Sequence, residues 1–153
     1  KNIHSFHSNI NLGIAVDLNQ EGLLVGTLRE ADSLSLKGLA RKISDTSAKL
    51  REGSYDLDDV SGSTFTISNN GSFNSFLTSP IINQPNVGIL SVGSIEKRPV
   101  VKETRYGDAV FVRHMLYLTL GYDHRLIDGA YGTKFLSRVK QILEEYSQDE
   151  IVV

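Results

Sequence analysis

The chain has 153 residues, enough for one domain with a hydrophobic core of its own. Its 16 Lys and Arg against 18 Asp and Glu leave a net charge of -2, which excludes a broad polyanion-binding surface and any expectation of a nucleic-acid partner. It contains no cysteine, so disulfides, thiolate metal sites and cysteine nucleophiles are excluded together, and this usage fits a reducing compartment. No apolar run approaches membrane-spanning length and no signal peptide is visible, so no membrane partner is expected. The first residue is Lys1, not methionine, and a fragment or processed product is the expectation.

In chain order the elements read as one mixed α and β domain over residues 1–153, without repeats. Residues 10–16 and 22–28 are β-branched or leucine-rich runs around a polar turn at 19–21, and they predict a hairpin. Leu36, Leu39, Ala40, Ile43, Ser47 and Leu50 form a helical stripe over residues 36–50, with Ser35 as N-cap and Gly53 as stop. Residues 64–68 are strand-like, Asn69-Asn70-Gly71 turns the chain, and 72–86 reads as an irregular loop. Residues 87–92 and 111–122 predict strands. A charged connection with Lys97, Arg98, Lys102, Glu103, Arg105 and Asp108 lies between them as a solvated hairpin end. Residues 131–146 predict a closing helix with Phe135, Leu136, Val139, Ile142, Leu143 and Tyr146 on one face. The tail 147–153 is polar and acidic until Ile151-Val152-Val153.

The stretch Tyr122-Asp123-His124-Arg125-Leu126-Ile127-Asp128-Gly129 carries the chemistry. Strand alternation puts Leu116, Leu118, Leu120, Tyr122 and His124 on one side, so His124 is expected to be part-buried and neutral. A neutral imidazole suits removal of a thiol proton, because the two reference pKa values lie within about two units of each other. The same spacing also fits a core histidine satisfied by backbone groups. Asp128, directly before a helix, has the type and place of an N-cap, and Gly129 permits a tight turn. His4 and His7 have ligand-like spacing, but a disordered or tag-like start of the chain explains them better, and no metal is expected.

A second block, Gly62-Ser63-Thr64-Phe65-Thr66-Ile67-Ser68-Asn69-Asn70-Gly71, ends a strand in a turn. Ser68 and Asn69 are residues that start β-turns. Two further blocks are Asn11-Leu12-Gly13-Ile14-Ala15-Val16 with Gly22-Leu23-Leu24-Val25, and Thr78-Ser79-Pro80-Ile81-Ile82-Asn83 with Gln84-Pro85. In this order the four blocks closely resemble the acyltransferase (dihydrolipoamide acyltransferase) component of the 2-oxo acid dehydrogenase complexes, in the carboxyl-terminal part of its catalytic domain.

The resemblance implies the α/β (α+β) fold shared with chloramphenicol acetyltransferases: a mixed sheet with flanking helices, here without the amino-terminal part of the domain. It implies acyl transfer between the dihydrolipoyl thiol of a separate lipoyl domain and coenzyme A. His124 is then the general base, Ser68 the oxyanion donor, and Asp128 a member of an ion pair that organises the site. Asn69 and Gly129 fall at the substrate-binding edge. The arginine partner of the aspartate lies in the missing segment in such proteins, so an inactive fragment is an alternative. Trimers with the site between subunits are implied, as are larger cores joined through carboxyl-terminal residues such as 151–153. Lipoyl domains, decarboxylase and dihydrolipoamide dehydrogenase subunits are implied partners, the last two through domains this chain lacks. A bacterial source would place the protein in the cytoplasm, a eukaryotic one in the mitochondrial matrix.

Two departures stand out. Gly26 occupies a position where proline is usual, which predicts a looser strand end, and Asn74 occupies one where glycine is common. A chloramphenicol-type acetyltransferase is a competing class, but it typically has a second histidine where Asp123 stands. A non-catalytic core subunit is another, but such subunits tend to lose the base that His124 would be. The wording of the motifs leans toward succinyl transfer, though acetyl and branched-chain members use similar words.

Overall fold

The computed structural model describes residues 5–146, so the expectations for His4 and for the tail 147–153 fall outside the described residues. The amino-terminal hairpin is formed as read: β1 (Leu12–Asp17) pairs antiparallel with β2 (Leu23–Leu28) across a short 3-10 turn at Asn19–Glu21. Helix α1 (Leu36–Arg51) follows, and the Ser35 hydroxyl accepts from the Gly38 N–H at 3.1 Å as its N-cap. Its other end closes when Gly53 N–H and Ser54 N–H return to the carbonyls of Leu50 and Lys49, at 3.2 and 3.1 Å. That closure needs a left-handed residue, and Gly53 supplies it with φ of 69°.

Strands β3 (Phe65–Asn69), β4 (Gly88–Val92) and β7 (Leu118–Tyr122) complete a five-stranded sheet in the order β2-β1-β3-β4-β7. β1, β3 and β4 are parallel, and the edge strands β2 and β7 run against their neighbours. Register places Ile14 beside Ile67, Ile67 beside Leu90 and Leu90 beside Leu120, so these apolar side chains share one face. Both helices cover that face. A Cβ on Gly26 would come within 2.6 Å of Thr46 Cγ2 and 2.9 Å of Leu50 Cδ1, so the bare glycine is what lets α1 lie on β2. The expected looseness at Gly26 is therefore corrected: Gly26 is buried under the helix. Helix α2 (Gly129–Glu145) reaches the sheet through Phe135, 5.7 Å from Phe65 by ring centroids, and through Gly132 against the Tyr122 ring. Leu136 and Val139 are half-buried, and the end of the apolar stripe is open, with Ile142 47 % and Leu143 57 % exposed.

The opposite face is polar and is roofed by the loop 72–86. Thr66, fully buried, donates to Asn86 Oδ1 at 2.9 Å, and Asn86 Nδ2 donates to the Ser63 carbonyl at 2.7 Å. Asn70 Nδ2 donates to both Thr78 Oγ1 and Ser91 Oγ, at 3.0 and 2.9 Å. The loop is irregular but tied down. Asn74 adopts the left-handed conformation (φ 57°), which asparagine tolerates better than most residues, so this departure from glycine needs no rearrangement.

The single strand expected over residues 111–122 is two. Its first half belongs to β6 (Gly107–Met115), which pairs with β5 (Glu96–Thr104) through nine register positions in a separate two-stranded ribbon. The chain breaks at Leu116 and Tyr117 before entering β7, where the Tyr117 carbonyl accepts from the Gly93 N–H at 2.9 Å. The charged connection is thus a long antiparallel arm and not only a hairpin end. Its exposed Val101, Val110 and Val112 share one face of the ribbon, with Lys97, Glu103 and Asp108 among them.

Candidate active site

β7 ends at Tyr122, and His124 lies in the turn that leads to α2. The strand alternation therefore stops two residues short of it. Leu116 is outside β7 as well, and His124 is exposed in this chain, which corrects the expectation of a part-buried imidazole. Its ring leans on Tyr122, with centroids 5.6 Å apart and planes at 44°. Tyr122 is itself fixed because Gly132 admits the ring where a Cβ would meet it at 2.9 Å.

The turn is held from its first residue. The Asp123 N–H donates to the Val87 carbonyl at 2.9 Å, and the Asp123 carbonyl accepts from Leu126 and Ile127 N–H groups at 3.0 Å each. The Asp123 carboxylate accepts from the Arg125 N–H at 3.0 Å, from Arg125 Nε at 2.9 Å and from Nη2 at 2.6 Å. The guanidinium hydrogen bonds, and then the backbone one, hold the Asp123 carboxyl down at about 2. Asp128 ends the turn as N-cap of α2, its Oδ1 accepting from the Tyr131 N–H at 2.7 Å. Among the described residues it has no ion-pair partner, so capping is what its carboxylate does here. Gly129 opens α2 beside the Tyr122 hydroxyl, 3.7 Å from where its Cβ would sit.

Ser68 sits on β3, half-buried, on the polar sheet face that Thr66 shares. It is level with Ser91 on β4, and its hydroxyl joins no side-chain hydrogen bond among the described residues. Asn69 is exposed and accepts from the Gly71 N–H at 3.0 Å, which closes the turn. Among the described residues no group of three or more His, Asp or Glu side chains forms a metal-ligand set.

One chain does not bring Ser68 and His124 together. Ser68 is level with Ser91, whereas Tyr122 is level with Gly88, three residues away along β4 and one strand further across. Strand rise and spacing then put Ser68 about 14 Å from Tyr122, on the opposite sheet face, and His124 lies beyond Tyr122. A base and an oxyanion donor must lie within about 3 Å of neighbouring reacting atoms.

The model of the 2-oxoacid dehydrogenases acyltransferase (catalytic domain) family matches residues 1–149. The chain belongs to that family. It is 44 % identical over 142 residues to the dihydrolipoyllysine-residue acetyltransferase component of the pyruvate dehydrogenase complex of Mycobacterium bovis, covering 92 % of this chain and 26 % of that protein. It is 43 % identical over 140 residues to the lipoamide acyltransferase component of the branched-chain alpha-keto acid dehydrogenase complex of Bacillus subtilis, covering 92 % and 32 %. A Rickettsia typhi succinyltransferase component of the 2-oxoglutarate dehydrogenase complex is 41 % identical over 134 residues, 88 % of this chain and 32 % of that one. The chain thus spans between a quarter and a third of the length of these relatives.

Solved family structures share the fold. A probable dihydrolipoamide acetyltransferase from Listeria monocytogenes superposes with a TM-score of 0.88 at 40 % identity, over 95 % of this chain and 60 % of that one. The Azotobacter vinelandii dihydrolipoamide acetyltransferase, studied for the catalytic role of a serine, a histidine and an asparagine, superposes at 0.84 with 36 % identity, over 91 % and 55 %. The polar layer of Thr66, Asn70, Thr78, Asn86 and Ser91, and the Asp123–Arg125 pair, escaped the sequence reading. Opposite charges on either side of a histidine, between a strand and a helix, were the available signal for the pair.

Proposed function

We propose that this chain is part of the catalytic domain of a dihydrolipoamide acyltransferase. It would transfer an acyl group between the dihydrolipoyl thiol of a lipoyl domain and coenzyme A, with His124 from one subunit and Ser68 from another completing each site. The observation that carries the reading is the placement of half-buried Ser68 and exposed His124 toward opposite ends of one sheet, too far apart to share a site within one chain. A site built by a closed ring of copies uses both ends of every chain.

In the reaction, His124 accepts the proton of the coenzyme A thiol. The thiolate attacks the carbonyl carbon of the acyl-dihydrolipoyl thioester, and the carbonyl oxygen becomes an oxyanion to which the Ser68 hydroxyl donates. Collapse breaks the bond to the dihydrolipoyl sulfur, and that thiolate takes the proton back from the His124 imidazolium. No redox step occurs and the protons balance. Asp128 contributes by fixing the end of the histidine turn. The Azotobacter relative supports this view, because its studied asparagine follows its studied histidine by four residues, as Asp128 follows His124. An asparagine oxygen can cap a helix but brings no negative charge. Acetyl, succinyl and branched-chain relatives stand within 41–44 % identity, so the proposal covers acyl transfer as a class.

In the assembled enzyme His124→Ala is expected to lower kcat by about 10²–10⁴-fold. Ser68→Ala is expected to lower kcat by about 10²–10³-fold with the KM for coenzyme A unchanged. Release of free coenzyme A thiol from acyl-coenzyme A and dihydrolipoamide measures both. Near-normal turnover in His124→Ala would remove the base from the mechanism.

A further inference from the structure

The six residues between β7 and α2 have neither ladder nor helix to fix them, yet the proposed base is among them. What fixes their first half is one residue. Asp123 is anchored to Val87 through its N–H, accepts Leu126 and Ile127 through its carbonyl, and grips Arg125 through its carboxylate. His124 is the residue enclosed between the two halves of that grip.

We propose that the bidentate Asp123–Arg125 pair is a positioning device for His124, closing a side-chain clasp over the backbone of the base so that its imidazole keeps one direction from the protein surface. This rests on the proposed role of His124. An isolated surface ion pair contributes little to stability, and Arg125 is 84 % exposed on its side chain. The carboxylate side is different, because the Asp123 side chain is only 21 % exposed and meets the guanidinium with both oxygens. A turn of this kind needs only one acceptor oxygen, for the Arg125 N–H. The second oxygen and the planar guanidinium add orientation, which a lysine at position 125 could not reproduce. The Tyr122 ring supports the imidazole from the strand side. Together the clasp and the ring leave an exposed histidine with a defined aim.

Asp123→Asn, Arg125→Gln, Arg125→Lys and the double variant, made in the assembled enzyme, test this. Asp123→Asn keeps the acceptor for the Arg125 N–H, so the turn and the fold are expected to survive, as thermal melting and light scattering would report. Each single variant should lower kcat by on the order of ten- to a hundredfold, as for a base displaced by about 1 Å. The KM for coenzyme A should stay within about twofold, and the double variant should be no worse than the worse single one. Carbon-13-labelled histidine should give one sharp His124 signal in the parent and several in the variants. Unchanged kcat in the single variants, with His124→Ala inactive, overturns the clasp and leaves the general-base reading intact. An active His124→Ala overturns that reading instead. Recovery in Arg125→Lys would show that charge suffices, and a rise in KM confined to the Arg125 variants would make that residue a substrate contact; either result overturns the clasp.

Discussion

A helix cap and half of an ion pair would give Asp128 opposite mutational signatures. As a cap it needs an oxygen, and as half of an ion pair it would need a charge. Its Oδ1 receives the Tyr131 N–H at 2.7 Å, so the oxygen is in use. Asp128→Asn is therefore expected to keep both the melting temperature and most of the turnover, whereas Asp128→Ala should cost about 1 kcal/mol through the lost cap. An inactive but well-folded Asp128→Asn enzyme would restore the charge to its place in the mechanism. Asp123 differs, because its charge is engaged. Its folded-state value of about 2 lies below the ordinary 3.8, so its pairing stabilises the turn above about pH 4 and is lost as pH falls through 2. A carboxyl titration followed by NMR should show a midpoint near 2 in the parent. The midpoint should return toward 3.8 in Arg125→Gln, and an unmoved one would detach Arg125 from the effect.

Among the elements, the hairpin and both helices were legible because their periodicity and caps agree: Ser35 and Gly53 close α1 as their residue types dictate. The split at Leu116 and Tyr117 was not legible. Val110, Val112, Leu116, Leu118 and Leu120 share one parity with only His114 between them, and an open ribbon reads the same as a sheet strand when only the period is seen. The same continuity misled the reading of His124, whose exposure follows from a strand that ends at Tyr122. The polar layer was hidden for another reason: Asn86 lies 20 residues from Thr66, and such pairings follow from register, not from local pattern. That layer is expected to hold the loop 72–86 on the sheet. Asn86→Ala would strand the buried Thr66 hydroxyl and the Ser63 carbonyl, for a loss of about 1–3 kcal/mol in chemical denaturation. Faster proteolysis within 72–86 should accompany it. A change below a few tenths of a kcal/mol would show the loop to be held by other contacts.

At the scale of the whole molecule, part of the apolar stripe of α2 and the valine face of the ribbon are uncovered, while Ser68 and His124 lie far apart. All of these agree with the proposal that the chain completes its site against other copies. The Ser68–His124 separation makes that testable without any structure of the assembly. If each site takes its base from one subunit and its oxyanion donor from the next, a His124→Ala subunit still offers a sound Ser68 and a Ser68→Ala subunit a sound His124. Each variant assembled alone has every site broken. When the two are dissociated, mixed in equal amounts and reassembled, random neighbours make about one interface in four intact. Turnover in the mixture should then rise to about a quarter of the parent value, well above either variant alone. A site contained within one chain predicts no rise at all, because every chain in the mixture carries one defect. An activity that stays at the mean of the two variants would thus place both residues in the same subunit and overturn the shared site.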